Sequence, residues 1–303
     1  MISLDGFDKE ADEMIASTMA DNTRKTYASA LNLYIKHVQE AHSHSPNNPP
    51  PFPITIRSLK VFVLYMKRKG SQYSYIRTLV AGLSYYMKSE EIPDLTQDIL
   101  FKKFLNGVSC KMHGKSKKYA KKPIHPNDLV LVLRLIDLSV KKESKLAFLM
   151  TVMFFGFLRI SEALNLTRKD INLKQNDMME VLIRNSKTDQ EGKGQYVIIK
   201  DGGQAYSPFR YLEILNSIDP DEKFFENSAE QFNRIFRIHL TTISLDANKY
   251  NSHSFRRGGA CYDSHQGVQD CMIKKHGRWE SNAYIIYVNI EQEDASEEIS
   301  KKL

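Results

Sequence analysis

The sequence predicts a mainly α protein with a small antiparallel β-sheet, arranged in two domains. Helical periodicity recurs along the stretch that precedes a lysine-rich segment. Beyond that segment, SKLAFLMTVMFFGFL is apolar nearly all round, as a central buried helix should be. Then MMEVLIRN and GQYVIIK, short and rich in β-branched residues, flank the polar, glycine-containing connection SKTDQEGK, which predicts a hairpin with a long turn.

The first predicted helix starts near Asn22. NTRKTYASALNLYIKHV places Tyr27, Leu31, Tyr34, Ile35 and Val38 on one face, and the loop HSPNNPPPFP ends it. SLKVFVLYMKRKG closes on Gly70, and SYIRTLVAGLSYYMK stops ahead of Ile92-Pro93. DILFKKFLNGV reads as the next helix and completes an all-helical domain over residues 1–112. A basic linker is expected at 113–123 and a second domain over 124–303. That domain opens with NDLVLVLRLIDLSV as a helix, holds the hairpin, and resumes helix at PFRYLEILNSI and AEQFNRIFRIHL.

Composition narrows the function classes. With 303 residues, 42% of them hydrophobic, the chain can build one large core or two. No apolar run approaches the ~20 residues a membrane span needs, so no membrane partner is expected. MISLDGFDKEADEM lacks the basic start and apolar centre of a signal peptide. Cys110, Cys261 and Cys271 suit neither a disulfide framework nor a zinc site, which predicts a reducing compartment. The sequence contains no HExxH, paired-cysteine or DxD-like pattern and no P-loop, so neither metal nor ATP nor any other cofactor is expected. The net charge of +7 is unevenly spread: KMHGKSKKYAKK carries Lys111, Lys115, Lys117, Lys118, Lys121 and Lys122 without an acid, whereas EQEDASEEIS is acidic. Such a lysine run suits a solvated linker, a nuclear-localisation signal or a strand crossing a polyanion's backbone.

A few polar residues stand out against their surroundings. Arg159 and Glu162 follow the deeply apolar helix directly, where a charge must reach a surface or a paired site. Lys187 sits in the hairpin connection. His253 and Arg256 in HSFRRGG, three apart, share one face at a helix start, where both can reach a single anion, and Gly258 and Gly259 allow close packing behind them. HGRWESNAYIIYV holds Trp279, the chain's one tryptophan, with Tyr284 and Tyr287. Taken singly, these read equally as a surface ion pair, a solvated lysine, a helix start and core aromatics.

Their order is more specific. Arginine with glutamate three on, hairpin lysine, H-x-x-R, tryptophan, then tyrosine resembles the catalytic domain of the tyrosine recombinase (phage-integrase-like) family, along nearly the whole chain. The helical first half resembles that family's core-binding domain, with its T-x-x-x-Y opening at Thr23 and Tyr27. The short GRWESNAYIIYV form looks most like recombinases of eukaryotic mobile elements of the Crypton and DIRS kind. The resemblance implies that Arg159 and Arg256 bind the scissile phosphate, Lys187 is the hairpin lysine, His253 fills the histidine of H-x-x-R, Trp279 stands where members carry His or Trp, Tyr287 is the nucleophile, and Glu162 braces the arginine site. Trp279 and Tyr287 lie eight residues apart, one fewer than in many bacterial and phage members, which leaves Tyr284 as a rival nucleophile. Arg257 follows Arg256 directly, and the H-x-x-R spacing favours Arg256.

The implied activity is site-specific recombination of double-stranded DNA through a 3′-phosphotyrosine intermediate, with two domains clamping each duplex and protomers assembling into dimers and tetramers on paired half-sites. The acidic stretch VNIEQEDASEEISKKL would then dock on a neighbouring protomer. Other readings are a catalytically silent domesticated DNA-binding protein and a type IB topoisomerase-like enzyme; the retained constellation speaks against the former and the helical first domain against the latter. A nuclear location is expected, or a cytoplasmic one for a prokaryotic or viral source.

Overall fold

The computed structural model describes residues 21–45, 47–113, 121–184 and 194–285, together with Glu10, Met14 and Met19. The chain divides into two compact units, Met1–Lys118 and Tyr119–Leu303.

In the first unit, α1 (Asp21–His44), α2 (Ile56–Arg68), α3 (Tyr73–Ser89) and α4 (Ile99–His113) enclose one core. Tyr34 and Val38 of the expected α1 face are fully buried, as is Ala30, which that face did not include, while Leu31 and Ile35 pack partly against the same cluster. The Tyr34 hydroxyl satisfies its burial by donating to the Pro51 carbonyl at 2.8 Å and bonding Ser58 Oγ at 2.7 Å. α1 and α3 approach closely at Gly82, where an added Cβ would lie 2.8 Å from that of Ala30. Helix starts follow their side-chain caps: Thr55 and Ser58 form a reciprocal box at α2, and Asp98 accepts from the N–H groups of Leu100 and Phe101 at α4. α4 runs on through His113, further than the DILFKKFLNGV reading and into the span expected as linker.

The second unit is built around α6 (Lys141–Phe155), whose residues Lys145 to Phe154 are all buried. α5 (Pro126–Arg134), α9 (Ala229–Thr242) and α10 (His253–His265) share its core. The run NDLVLVLRLIDLSV is not one helix. α5 stops at Arg134, because Asp137 forms a local turn by accepting from Ser139 N–H at 2.9 Å, competing with helical hydrogen bonding. PFRYLEILNSI likewise yields a 3₁₀ turn, Pro208–Tyr211, and a single α turn, α8 (Glu213–Asn216).

The expected hairpin is present within a larger sheet. β1 (Ile171–Lys174), β2 (Met178–Ile183) and β3 (Gln195–Lys200) pair antiparallel in that order, with Val181 opposite both Ile171 and Val197. β1 was not expected from the sequence. It joins β2 through Gln175, Asn176 and Asp177, the last two in the left-handed region at φ 63° and 52°, which Asn and Asp tolerate. Met179, Val181, Ile183, Val197 and Ile199 turn into the core, and Tyr196 and Ile198 turn outward. Two short helices, α7 (Ile160–Ala163) and α11 (Asp270–His276), flank the site described next.

Candidate active site

The chain reverses sharply where α6 ends. Phe157 adopts a left-handed φ of 48°, and Arg159 becomes the N-terminal cap of α7. Glu162, one turn on, folds back: Oε2 accepts the Arg159 backbone N–H at 2.8 Å and Oε1 accepts Arg159 Nη1 at 2.7 Å. The Glu162 side chain is 1% exposed and that of Arg159 20%, so the carboxylate is hidden while the guanidinium keeps an open side.

A carboxylate buried this deeply requires more than one half-exposed partner. Arg278 supplies the second, donating from Nη2 to Glu162 Oε2 at 2.8 Å, with its own side chain only 7% exposed. Burial by itself pushes the Glu162 carboxyl up; the charges of Arg278 and Arg159 and the hydrogen bonds from Arg159 outweigh it and hold the carboxyl below its ordinary range. Arg278 also donates to the carbonyls of Gly156, Phe157 and His276 at 3.3 to 3.4 Å, from a left-handed backbone at φ 56°.

α10 brings the H-x-x-R pair. Its start is fixed by Asn233 Oδ1, which accepts from Ser252 N–H at 2.7 Å, and by Asn251 Oδ1, which accepts from His253 N–H at 3.0 Å. His253 stands on the first turn, and Arg256 is buried one turn on. Arg256 donates to the carbonyls of Phe157 and Gly277, and its guanidinium sits 4.2 Å from the centre of the Trp279 ring. Because the Phe157 carbonyl also receives Arg278, one oxygen ties both arginines to the reversal that presents Arg159. The seat is tight: a Cβ at Gly259 would lie 2.1 Å from the Phe154 carbonyl. Desolvation, then the charges of Arg257, Arg256 and Arg159, push the His253 imidazole below its ordinary pKa. His253, Arg256 and Arg159 thus share one electrostatic environment.

Trp279 is half-buried and packs on Phe157 and on Tyr284, each with ring centres 5.9 Å apart. Tyr284 is 5% exposed in a small cluster with Phe157, Ala260 and Ile273. Its hydroxyl bonds Asp270, and burial together with that carboxylate raises its pKa, the opposite of what an attacking phenol needs. Tyr284 packs within this cluster. Lys187 and Tyr287 lie outside the described residues. Arg184, the last described residue before Lys187, is fixed by Asp170 at 2.6 Å, and Ile285 is the last before Tyr287.

Two contributors were missed in the sequence. Arg278 carries half the pairing of Glu162, and His276 bonds the Phe155 carbonyl at 2.7 Å through Nε2 and stacks edge-on against Phe157. Burial lowers the His276 pKa, so the ring is neutral and Nε2–H is the donor. Both stand in HGRWE beside Trp279, and the one signal for Arg278 was a buried acid with a single nearby base. A cavity of about 720 Å³ opens alongside, lined in part by Tyr196, Ile198, Met272, Lys274, Lys275 and Trp279. Among the described residues, no group of three His, Cys, Asp or Glu is placed to hold a metal ion.

No protein-family model matches the sequence, and no curated protein matches it. Solved structures do resemble the fold. The XerH site-specific recombinase bound to difH substrate superposes with a TM-score of 0.62 at 19% identity, over 90% of this chain and 78% of that one. A lambda integrase dimer bound to a COC′ core site gives 0.61 at 14% identity, over 95% of each chain. A single-substitution variant of the Tn1549 transposon integrase in complex with transposon right end DNA gives 0.59 at 17% identity, over 90% and 89%. The mostly helical architecture with its small antiparallel sheet is the fold shared with these recombinase and integrase structures.

Proposed function

We propose that this protein is a site-specific DNA recombinase of the transposon-integrase kind, acting on double-stranded DNA through a 3′-phosphotyrosine intermediate. The observation that carries the reading is that the charges of Arg159 and Arg256 both fall on His253, with Glu162 paired to the first guanidinium and Trp279 beneath the second, in a fold shared with DNA-bound recombinases and integrases.

The chemistry suits these residue types. The Tyr287 hydroxyl loses its proton and attacks phosphorus, and the bond from phosphorus to the 5′-oxygen breaks. The leaving 5′-alkoxide takes a proton from Lys187. A second 5′-hydroxyl reverses the step in another strand, so the phosphodiester's energy is conserved in the tyrosyl ester. Negative charge accumulating on the non-bridging oxygens is met by permanently charged, fork-shaped guanidiniums. Neutral His253, held so by desolvation and then by its arginine neighbours, accepts a proton from the tyrosine or holds a phosphate oxygen.

Self-association into dimers and tetramers on paired half-sites, kinship with Crypton- and DIRS-type elements, and a nuclear location belong to the same proposal. A nicked suicide duplex carrying the end of the element tests it: release of the small fragment beyond the nick traps the protein on DNA. A covalent band supports the proposal. Tight binding with no covalent band under any salt or pH condition favours the silent DNA-binding reading.

A further inference from the structure

The exit of the interdomain segment is stitched to the loop and helix that carry the H-x-x-R pair. Lys122 N–H donates to the Lys249 carbonyl at 2.7 Å and Ile124 N–H to the Ser254 carbonyl at 3.0 Å. The Lys121 ammonium reaches the Asn248 carbonyl, and the Arg257 guanidinium donates back to the Lys121 carbonyl. α10 rides directly on this strip. A Cβ at Gly258 would stand 2.3 Å from the Ile124 carbonyl, so only glycine permits the approach. Ile124 is fully buried in the catalytic unit's core, which anchors the strip from below.

Arg257 therefore faces two ways. Its side chain grips the backbone where the lysine-rich segment enters the second unit, and its charge falls on the His253 imidazole. We propose that Arg257 is a positioning residue that ties the exit of the lysine-rich segment to the catalytic helix, setting the placement and charge environment of His253 and Arg256. This rests on the functional reading above for its kinetic consequence, and on geometry alone for the tether.

The charges that face His253 are Arg256 and Arg257 on its own helix and Arg159 from the reversal after α6. Removing one of these like charges raises the imidazole pKa. The test uses the full chain with Arg257→Ala, Arg257→Gln and Arg257→Lys. Imidazole NMR titration reads His253, hydrogen exchange reads the amides of Lys122 and Ile124, and single-turnover cleavage of a suicide half-site reads the chemistry. In Arg257→Ala the His253 midpoint should move up in pH, both amides should exchange about 10-fold faster or more, and cleavage should slow by about 10- to 100-fold with half-site affinity nearly unchanged. Arg257→Lys should restore the His253 midpoint, which a purely structural role would not require. Arg257→Gln, able to bond the carbonyl without charge, should protect the amides yet leave the midpoint high. Unchanged titration and exchange in Arg257→Ala, with the protein folded, would overturn the inference. Absence of a covalent adduct from the wild type would instead sink the recombinase reading, and the titration and exchange would still decide the role of Arg257.

Discussion

The Arg256 guanidinium lies over the Trp279 indole, 4.2 Å from the ring centre, while its nitrogens hold the carbonyls of Phe157 and Gly277. Trp279 therefore acts as the floor of an arginine pocket. An aromatic face under a desolvated guanidinium stabilises it by about 0.5–2 kcal/mol, and phenylalanine keeps a weaker version of that face. Trp279→Phe should slow single-turnover cleavage by about 2- to 30-fold with DNA affinity nearly unchanged. Trp279→Ala should do more harm to both cleavage and folding, since Phe157 and Tyr284 lose their shared neighbour.

Glu162 is the most consequential acid of the site, because two arginines converge on it. Glu162→Gln leaves the buried Arg278 charge uncompensated. Breaking such a pair costs roughly 3–5 kcal/mol, which denaturant unfolding at neutral pH should register. Glu162→Asp, with its charge kept but its reach shortened, should recover only part of the loss.

Arg159 differs from Arg256 in keeping an exposed side, and that makes it the better probe of chemistry apart from folding. Arg159→Ala should lower cleavage by about 100-fold or more, the scale of one lost transition-state donor. It should stay impaired on a substrate with a 5′-bridging sulfur, whose thiolate leaves without a proton. Lys187→Ala should recover nearly fully on that substrate, because only proton donation is lost. Equal impairment of Lys187→Ala on both substrates would make the lysine an electrostatic stabiliser.

His276 gives the stability a defined pH dependence. Burial lowers its folded pKa, so the unfolded chain binds the proton more readily in the window between that value and the ordinary imidazole pKa of about 6.5. Stability then rises with pH through that window and levels off above it, with a slope from this group of at most about 1.4 kcal/mol per pH unit. Glutamine keeps a donor for the Phe155 carbonyl without titrating. Unfolding free energies of wild type and His276→Gln, measured from pH 5 to 8, should converge in slope above that window, with the variant flatter within it.

The helices were legible because burial imposes a 3.6-residue period on Tyr34, Val38 and their kind, and the α6 core helix because it is apolar all round. The helix expected to reach Val140 failed at Asp137, whose carboxylate made a local turn that apolar periodicity does not register. β1 was missed because INLK is short and buries one residue, Ile171, although Asn176-Asp177 marked the turn beside it. At the site, the residues for which chemical roles are proposed stand out in the sequence by type and order. The supporting ones do not: Arg278 and His276 matter through contacts more than 100 positions away, with Glu162 and Phe155, and no local spacing encodes these.

The central claim is that this site makes a phosphotyrosine bond to DNA through Tyr287. Tyr284, buried against Trp279 with its hydroxyl on Asp270, is the alternative tyrosine within the same run. The direct measurement is peptide mapping of the covalent adduct trapped on a nicked suicide duplex, with Tyr287→Phe and Tyr284→Phe run in parallel. The nucleotide should map to Tyr287, Tyr287→Phe should bind DNA and form no adduct, and Tyr284→Phe should still form one. An adduct that persists in Tyr287→Phe, or that maps to any other residue, would contradict the account.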